Sequence, residues 1–447
     1  MHIIINKPRT SFFLMILLLA GALHVQGQAR PEKAHIAQGK THPLRQLRSV
    51  TEIVGYDNLG MYVHETAGIM GLKQKHFLYF IDQKMNMVRS SEIPKTINGN
   101  RYSFEQIIQT NNHLYVLGTY MDKKNKESVL MGQPLSMRTL KPAGEPIVIT
   151  SAHLNLRNED ERAFKVRLSR DNTKILVIAQ TKGDHDKGVI IIHVLDSSLK
   201  PLWQHSYVTS RDADLFDLEN VKVDNHGNVF ILGIWSDKKS AITRKNEPNY
   251  YYKVIGIMDQ GATISTNELR MDGKFLTDMQ MEVSDQLKVI CLGFYSQEGT
   301  VSISGTYYIK LDPRTNEVVS KSHKAFGLDF ITQGMGDFQE GRTIKKVEKG
   351  KDVQIIQFDL NDLVITRDGA AFLIGEQFFT RLHTSSPTNG AQSSYLSYHY
   401  KDIMVVKASA SGEIEWITKI VKNQSLPYLD LPLSYSHILV DDQLYLI

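Results

Sequence analysis

The sequence predicts an all-β fold, a β-propeller of six or seven four-stranded antiparallel blades, and leaves open whether the last blade is complete. Three observations predict it. A short apolar run that usually ends in glycine recurs along the chain. Polar turns group the apolar runs into four-stranded meanders. The meanders follow one another without the polar linker that separate β-sandwich domains would need, and their spacing is longer and less regular than that of a β-solenoid.

The recurring apolar run predicts the second strand of each blade. Its clearest copies lie at residues 113–118, 228–233, 287–293 and 371–375, and a further copy at 174–179 ends in alanine instead of glycine. The runs are apolar at consecutive positions, as expected for a strand that is covered on both faces. Stacked blades would cover both faces in this way.

The unit around residue 230 shows the complete pattern. Residues 216–223 alternate apolar and polar, 224–228 form a tight turn, and 229–234 form the second strand. Residues 252–258 and 264–269 supply the third and fourth strands. The same order predicts blades at about 50–93, 102–149, 163–208, 216–270, 275–326 and 355–421, and a partial blade at 434–447. No helical periodicity of useful length is present.

The first 27 residues have the features of a secretory signal peptide. Lys7 and Arg9 precede an apolar run at 12–23, which is shorter than the roughly 20 residues that span a bilayer. We therefore expect an exported protein, periplasmic or extracellular, with no transmembrane segment in the mature chain. Residues 28–49 are expected to form a disordered basic leader, and residues 50–447 the propeller.

The charge distribution argues against a nucleic-acid partner. The formal net charge is +4, but residues 1–27 contribute +2 and residues 28–50 contribute +4, which leaves −2 for the chain from Thr51 onward. A nucleic-acid-binding domain carries its positive charge on the folded body. Cys291 is the only cysteine, so the chain has no internal disulfide, and its apolar surroundings predict a buried side chain.

The predicted turns divide the propeller into two faces. Short turns at 224–228, 259–262, 312–316 and 409–413 define a turn face. Long connections at 236–251, 377–399 and 327–352 define a long-loop face. Variable loops on a rigid frame commonly carry binding sites, so we expect function on the long-loop face.

Aromatic residues at the strand ends are the candidate ligand-binding residues. Tyr and Trp offer rigid contact area with a polar group, although half of such rings are expected to pack into the core. The candidates are Tyr120, Trp235, Tyr250, Tyr251, Tyr252, Tyr295, Tyr398 and Tyr400.

Motifs for catalysis or metal binding are weak. No nucleophile elbow, phosphate-binding loop or histidine spacing for a metal site is present, so no catalytic residue, metal or cofactor is predicted. An enzyme could still arise if carboxylates from different blades converge, and Glu376 and Asp237 are then the candidates. A ring stabilised by a bound metal is a third hypothesis, which predicts that a chelator lowers the melting temperature.

Three segments carry a resemblance to a group of known sequences. Residues 79–86, 375–377 and 402–416 resemble uncharacterised exported bacterial proteins of propeller-like type. The resemblance implies the fold and export, and it implies no active site.

The sequence therefore favours an exported, non-catalytic binding or scaffold protein that recognises a protein, peptide or glycan through its long-loop face. The alternative is a propeller enzyme, a glycan hydrolase or lyase. The ligand, the oligomeric state and the number of blades stay open.

Overall fold

The computed structural model describes most of the chain from Ser49 onward. The described residues are 49–67, 74–97, 100–153, 164–182, 185, 187–237, 243–244, 247–271, 273–297, 303–348, 358–385, 393–427 and 434–446. The proposed signal peptide and almost all of the basic leader lie outside them. Among the described residues, no helix is long and apolar enough to cross a membrane.

Six four-stranded antiparallel sheets form the ring, so the β-propeller prediction is confirmed. Blade 1 consists of β1 (Ser49–Asp57), β2 (Gly60–Ala67), β3 (Lys75–Asp82) and β4 (Met87–Glu92). The short strands β5 (Thr96–Ile97) and β6 (Asn100–Arg101) pair with each other. Blade 2 consists of β7 (Ser103–Gln109), β8 (Leu114–Asp122), β9 (Glu127–Leu135) and β10 (Ile147–Ala152). Blade 3 consists of β11 (Phe164–Leu168), β12 (Lys174–Lys182), β13 (Lys187–Asp196) and β14 (Pro201–Asp212).

Blades 4 to 6 follow the same order of strands. Blade 4 consists of β15 (Phe216–Val223), β16 (Val229–Ser236), β19 (Tyr250–Met258) and β20 (Thr263–Leu269), with the small pair β17 (Thr243–Arg244) and β18 (Glu247–Pro248) in its second connection. Blade 5 consists of β21 (Phe275–Val283), β22 (Val289–Ser296), β23 (Gly305–Asp312) and β24 (Glu317–Ala325). Blade 6 consists of β25 (Asp359–Ile365), β26 (Ala371–Ser385), β27 (Ser393–Ala408) and β28 (Ile414–Ile420).

The first strand of each blade lines the central channel. The first strands of neighbouring blades contact one another: β1 with β7, β11 with β15, β15 with β21, and β21 with β25. Apolar clusters fill the spaces between successive blades. The second strands lie between these clusters, and every residue of β22 is buried. This burial on both faces explains why the second strands give continuous apolar runs in the sequence.

A hairpin of β30 (His437–Val440) and β31 (Gln443–Leu446) packs against blade 6. Leu439, Leu444 and Leu446 contact the apolar face that includes Phe372 and Ile374. A partial seventh blade, which the sequence left open, fits this arrangement.

The tight turns form as the sequence predicts. In the turn between β15 and β16, the Asp224 carboxylate accepts hydrogen bonds from the backbone N–H groups of His226 and Asn228 at 2.9 and 2.8 Å. Gly227 takes a φ of 86°, which a glycine adopts without strain. The polar residues at these turns therefore satisfy backbone groups that have no strand partner.

Two of the long connections differ from the expectation. Residues 377–399 are mostly strand, because β26 and β27 continue past the blade as a paired ribbon, to which β29 (Gln424–Pro427) adds on the β27 side. The connection after blade 5 contains two helices, α1 (Leu328–Thr332) and α2 (Asp337–Glu348), although the sequence shows no useful helical periodicity. In α2 the first large apolar side chain, Phe338, is exposed, so the helix has little apolar surface that would produce such a pattern.

Candidate functional site

A pocket of about 300 Å³ opens between blades 4 and 5 on the long-loop face. The segment from β20 to β21 forms one wall, and the start of β19 forms the other. Its lining includes Pro248, Tyr250, Tyr251, Tyr252, Arg270, Lys274 and Gln297. Three of the eight predicted aromatic residues therefore lie in one pocket.

Two cations stand over aromatic rings at this pocket. The Arg270 guanidinium lies 4.7 Å from the centre of the Tyr251 ring, and the Lys274 ammonium lies 4.9 Å from the centre of the Tyr295 ring. Rings at these distances attract a cation and hold it in place. Glu268, next to the pocket, accepts a hydrogen bond from Arg270 at 3.4 Å. Among the described residues that line the pocket, the charged ones are both cationic.

The hydroxyls of Tyr250 and Tyr252 are held in the neutral form. Tyr250 donates a hydrogen bond to the Leu276 carbonyl at 2.6 Å, which joins blade 4 to blade 5. Burial raises the pKa of Tyr250 to about 12. Burial, followed by the nearby Asp278 and Glu219 carboxylates, raises the pKa of Tyr252 well above its usual value. Neither hydroxyl is suited to act as a base near neutral pH.

The other predicted aromatic residues lie elsewhere. Trp235 is 1% exposed and belongs to the apolar cluster between blades 3 and 4, where its ring packs against that of Phe216 at 4.5 Å and is stacked 6.4 Å from that of Tyr251. Tyr295 is buried beneath Lys274. Tyr120 is half-buried on blade 2, and Tyr398 and Tyr400 are half-buried on β27 of blade 6. The structure does not bring these last three side chains to the pocket.

Carboxylates from blades 4, 5 and 6 interact at the channel wall, and sequence reasoning missed them. Burial, then the charges of Glu219 and Asp359, raises the pKa of Asp278 to about 6, although the Met279 N–H donates to its carboxylate at 2.7 Å. The pKa of Glu219 is raised by burial and by Asp217, and Lys165 opposes this effect. The pKa of Asp359 is raised by burial and by Glu376. This group, Glu219, Asp278 and Asp359, is called the channel carboxylates below.

The two carboxylates proposed from the sequence lie on different blades. Glu376, on blade 6, is 3% exposed, pairs with the Lys422 ammonium and accepts a hydrogen bond from the Ser434 hydroxyl at 2.5 Å. Asp237 is exposed just beyond β16 of blade 4, where its backbone N–H donates to the Asn249 carbonyl at 3.0 Å. The charge of Glu376 contributes to the raised pKa of Asp359. The sequence did not indicate Asp359 as a candidate.

A second cavity, of about 900 Å³, opens at the turn face among blades 3 to 6. Arg170 of blade 3 reaches across it, donating to the Ile365 carbonyl of blade 6 at 3.1 Å and lying 3.7 Å from the Asp285 carboxylate of blade 5. Lys222 pairs with Glu282 at 2.5 Å, and Arg314 lies 3.5 Å from Asp259. Arg170, Lys222 and Arg314 at this mouth therefore each lie near a carboxylate of the protein.

In the part of the chain that the structure describes, no three His, Cys, Asp or Glu side chains are grouped so that they could hold a metal ion. Cys291 is fully buried, as the sequence predicts, and burial raises the pKa of its thiol.

The fold and its channel define a β-propeller as the class of protein. No protein-family model matches the chain, and no curated protein matches it. Solved structures are similar in fold only. The β-propeller domain of the Trilobed protease from Pyrococcus furiosus is 10% identical, with a TM-score of 0.38, over 84% of this chain and 96% of that domain.

Two further solved structures cover a smaller share of their own length. An acylaminoacyl peptidase in complex with Z-Gly-Gly-Phe-chloromethyl ketone is 9% identical, with a TM-score of 0.38, over 84% of this chain and 52% of that one. Prolyl oligopeptidase B from Galerina marginata, bound to a 35mer substrate, is 8% identical, with a TM-score of 0.38, over 87% of this chain and 44% of that one. The chain thus spans about half the length of these two peptidases.

Proposed function

We propose that this protein is an exported, non-catalytic binding protein whose pocket between blades 4 and 5 takes a carboxylate-bearing oligomer, either an acidic oligosaccharide or an acidic peptide. The observation that carries the proposal is the pairing of Arg270 and Lys274 with tyrosine rings in a concave site on the long-loop face. The proposal of export rests on the signal-like features of residues 1–27.

The chemistry of the pocket favours an anionic ligand. Arg270 presents a planar guanidinium that can bind a carboxylate through two hydrogen bonds, and Lys274 adds a second positive charge. Tyr250 and Tyr251 give flat surfaces on which a sugar ring or a peptide group can pack. A pocket of about 300 Å³ accommodates one or two residues of such an oligomer, so neighbouring residues would lie along the long-loop face.

Binding measurements on charge-neutralised variants test the proposal. The probes are oligogalacturonate and a short poly-glutamate peptide, each compared with a neutral counterpart, by isothermal titration calorimetry. Arg270→Gln and Lys274→Gln should each weaken binding of the acidic probe about tenfold, because each removes a charge-assisted contact worth about 1.5 kcal/mol.

Lys200→Gln is the matched control. It removes one positive charge from an exposed turn on the opposite face and should leave binding unchanged. Equal loss in all three variants would indicate a general charge effect and would contradict the pocket. Failure of both acidic probes to bind the wild type would reject this ligand class.

The channel carboxylates favour one second candidate, a glycan-cleaving enzyme. A buried carboxyl group with a pKa near 6 beside further carboxylates is the kind of group that glycosidases use as a general acid. If a probe is cleaved as well as bound, and if Asp278→Asn abolishes cleavage while binding persists, the enzyme is favoured over the binding protein.

A further inference from the structure

Two histidines of blade 1 are joined by a hydrogen bond. The Nε2 atom of His64 on β2 lies 3.1 Å from the Nδ1 atom of His76 on β3, and the Thr66 hydroxyl lies 3.2 Å from the same nitrogen of His76. On the other side of His64, its Nδ1 atom lies 2.8 Å from a carboxylate oxygen of Glu52 on β1. A row of polar side chains therefore crosses three of the four strands of blade 1.

The two imidazole rings pack against blade 2. The Phe104 ring of β7 stacks on His76 with ring centres 3.8 Å apart, and its centre lies 4.9 Å from that of His64. His64 is 4% exposed. Phe104 also packs against the apolar cluster that joins the two blades, which includes Tyr62 of blade 1 and Val116 of blade 2. The imidazoles thus lie at the junction of two blades, where a charged group loses part of its hydration.

The contact between the two rings holds one hydrogen. A neutral imidazole carries one N–H group, and a protonated one carries two. The Nδ1 atom of His64 donates to the Glu52 carboxylate, and a single hydrogen then lies between His64 and His76. If both rings were protonated, two N–H groups would face each other across 3.1 Å and this hydrogen bond would be lost.

The surroundings of His76 oppose its protonation. Burial, then the charge of His64, lowers the pKa of His76 to about 4, and Lys95 acts in the same direction while Glu52 opposes it. Burial of this ring between two blades is therefore the main reason why it stays neutral.

Neighbouring charged side chains have partners of their own. The Lys75 ammonium, next to His76 on β3, lies 3.3 Å from the Glu92 carboxylate of β4. Glu105, next to Phe104 on β7, accepts a hydrogen bond from the Thr119 hydroxyl at 2.8 Å. In the described residues, blade 2 thus presents the uncharged ring of Phe104 to the histidine pair.

We propose that His64 and His76 form an acid-sensitive latch between blades 1 and 2. The latch is closed while the pair shares one hydrogen, and it loosens when both rings are protonated. Loosening breaks the link between β2 and β3 and weakens the packing of both rings on Phe104. The latch belongs to blades 1 and 2 and the pocket to blades 4 and 5, so this inference does not rest on the proposed ligand.

The direction of the pH effect follows from His76. Its pKa falls from the ordinary value of 6.5 to about 4 in the folded protein, so the opened blade binds the proton more tightly than the closed one. The stability that neutral His76 contributes is fully present above about pH 6.5 and is lost as the pH falls towards 4. Because the side chain is partly exposed, we expect the opening equilibrium of blade 1 to rise only about tenfold between pH 7.5 and pH 5.

Hydrogen–deuterium exchange tests the proposal, read by mass spectrometry and corrected for the intrinsic effect of pH on exchange. Peptides from β2, β3 and β7 of the wild type should show the expected rise in opening at pH 5. His76→Gln keeps a polar side chain that cannot be protonated in this range. It should reduce the rise to about twofold or less.

His226→Gln is the matched control, because it removes an exposed histidine from a turn of blade 4 and should leave the response of blade 1 as in the wild type. A wild type whose blade 1 opens equally at both pH values overturns the proposal. So does a His76→Gln variant that responds to acid as strongly as the wild type.

Nuclear magnetic resonance of the imidazole nitrogens tests the wild type directly. The His76 ring, identified through its contact with Phe104, should still be neutral at pH 5.5. A His76 ring that is protonated at this pH, with no faster exchange in blade 1, overturns the proposal. This measurement decides the matter even if His76→Gln does not fold.

Discussion

Asp278 shows how a single residue of the channel wall affects stability. Its pKa is raised to about 6, chiefly by burial and then by the charges of Glu219 and Asp359. The folded state therefore binds a proton more tightly than the unfolded state, whose carboxyl has a pKa near 3.8. The stability that Asp278 contributes is fully present below about pH 4 and is lost as the pH rises through 6.

Asp278→Asn should therefore stabilise the protein at neutral pH. The amide cannot ionise, and its oxygen can still accept the Met279 N–H. We expect the free energy of unfolding to rise by about 1–3 kcal/mol at pH 7.5 and to change much less at pH 4. Urea unfolding at the two pH values measures the difference.

The control is Glu413→Gln, which neutralises an exposed carboxylate in a turn of blade 6. It should leave the difference between the two pH values almost unchanged. If Asp278→Asn destabilises the protein equally at both pH values, burial of its charge is not the dominant effect.

At the residue scale the sequence predicts side chains near the pocket but not which of them face it. Tyr250, Tyr251 and Tyr252 follow one another in β19, and alternation places Tyr250 and Tyr252 on the side of blade 5 and Tyr251 on the side of blade 3. Trp235 and Tyr295 carry the same aromatic signal, yet they fill the core. Arg270 was missed because a single arginine in a short connection has no pattern of its own.

The glycine that ends the recurring run has a structural cause at the scale of the β-strand. The first strand of blades 1, 2, 4, 5 and 6 contains a β-bulge where it pairs with the second strand, between 53 and 55, 104 and 106, 218 and 220, 276 and 278, and 360 and 362. In blades 2, 4 and 6 the glycine pairs with the residue just before this bulge, and in blade 5 Gly293 pairs with Met279, two residues after the bulged Thr277. A Cβ there would approach a backbone oxygen of the first strand to 3.1 Å or less.

Blade 3 supplies the comparison. Its first two strands, β11 and β12, pair without a register shift from Phe164 to Leu168, and Ala179 stands where the other copies have glycine. The alanine is tolerated because no bulge approaches it. In blade 1, which has a bulge but no glycine at the matching place in the second strand, Gly55 lies in the bulged strand itself.

Gly293→Ala should be strongly destabilising. The added Cβ would lie 2.0 Å from the backbone oxygen of Asp278 and 2.8 Å from the Tyr307 hydroxyl, so the backbone of β21 must move. We expect a loss of about 2–4 kcal/mol, measured by urea or thermal unfolding.

The reverse substitution in blade 3, Ala179→Gly, should cost only about 1 kcal/mol, because it adds backbone freedom and removes one methyl group. Similar losses for both variants would show that the approach of the bulge does not decide the choice of glycine.

The bulges also explain why the channel carboxylates were not predicted. A bulge adds one residue to the first strand and so changes which side chains point into the channel. Glu219 and Thr277 occupy bulge positions, and Asp278 follows directly. Simple alternation along β15 and β21 therefore assigns the wrong face to part of each strand. Glu219, Asp278 and Asp359 belong to three different blades, so they come close to one another only in the assembled ring.

For the whole molecule, the repeats predicted the ring because each second strand is buried on both faces. The connections were predicted less well. Residues 378–385 and 393–400 continue the pairing of β26 and β27, but they are polar and aromatic rather than uniformly apolar, so their sequence resembles a loop. The sequence around Arg170 does not indicate its contacts, because its partners Ile365 and Asp285 lie on blades 6 and 5, far away along the chain.

Arg170→Ala tests whether this contact across the channel stabilises the ring. The side chain is half exposed, so we expect a modest loss of about 1 kcal/mol in the free energy of unfolding. Arg314→Ala is the control, since Arg314 is similarly exposed and pairs with Asp259 of the neighbouring blade at 3.5 Å. Its loss should be smaller, and equal losses would mean that bridging the channel adds nothing beyond an ordinary surface ion pair.

The contact between glycine and bulge can also serve as a position marker in sequences of this type. Gly118 pairs with Phe104, Gly233 with Leu218, and Gly375 with Leu360, and in each case the next residue of the first strand is the bulged one. Those residues are Glu105, Glu219 and Asn361, all of them polar. In blades 2, 4 and 6 the glycine that ends the apolar run therefore indicates, from the amino-acid sequence alone, a polar residue at the bulge of the preceding strand. In blade 5 the position is offset, because Gly293 pairs with Met279, two residues after the bulged Thr277. An alanine at that place, as in blade 3, points to a first strand that runs straight.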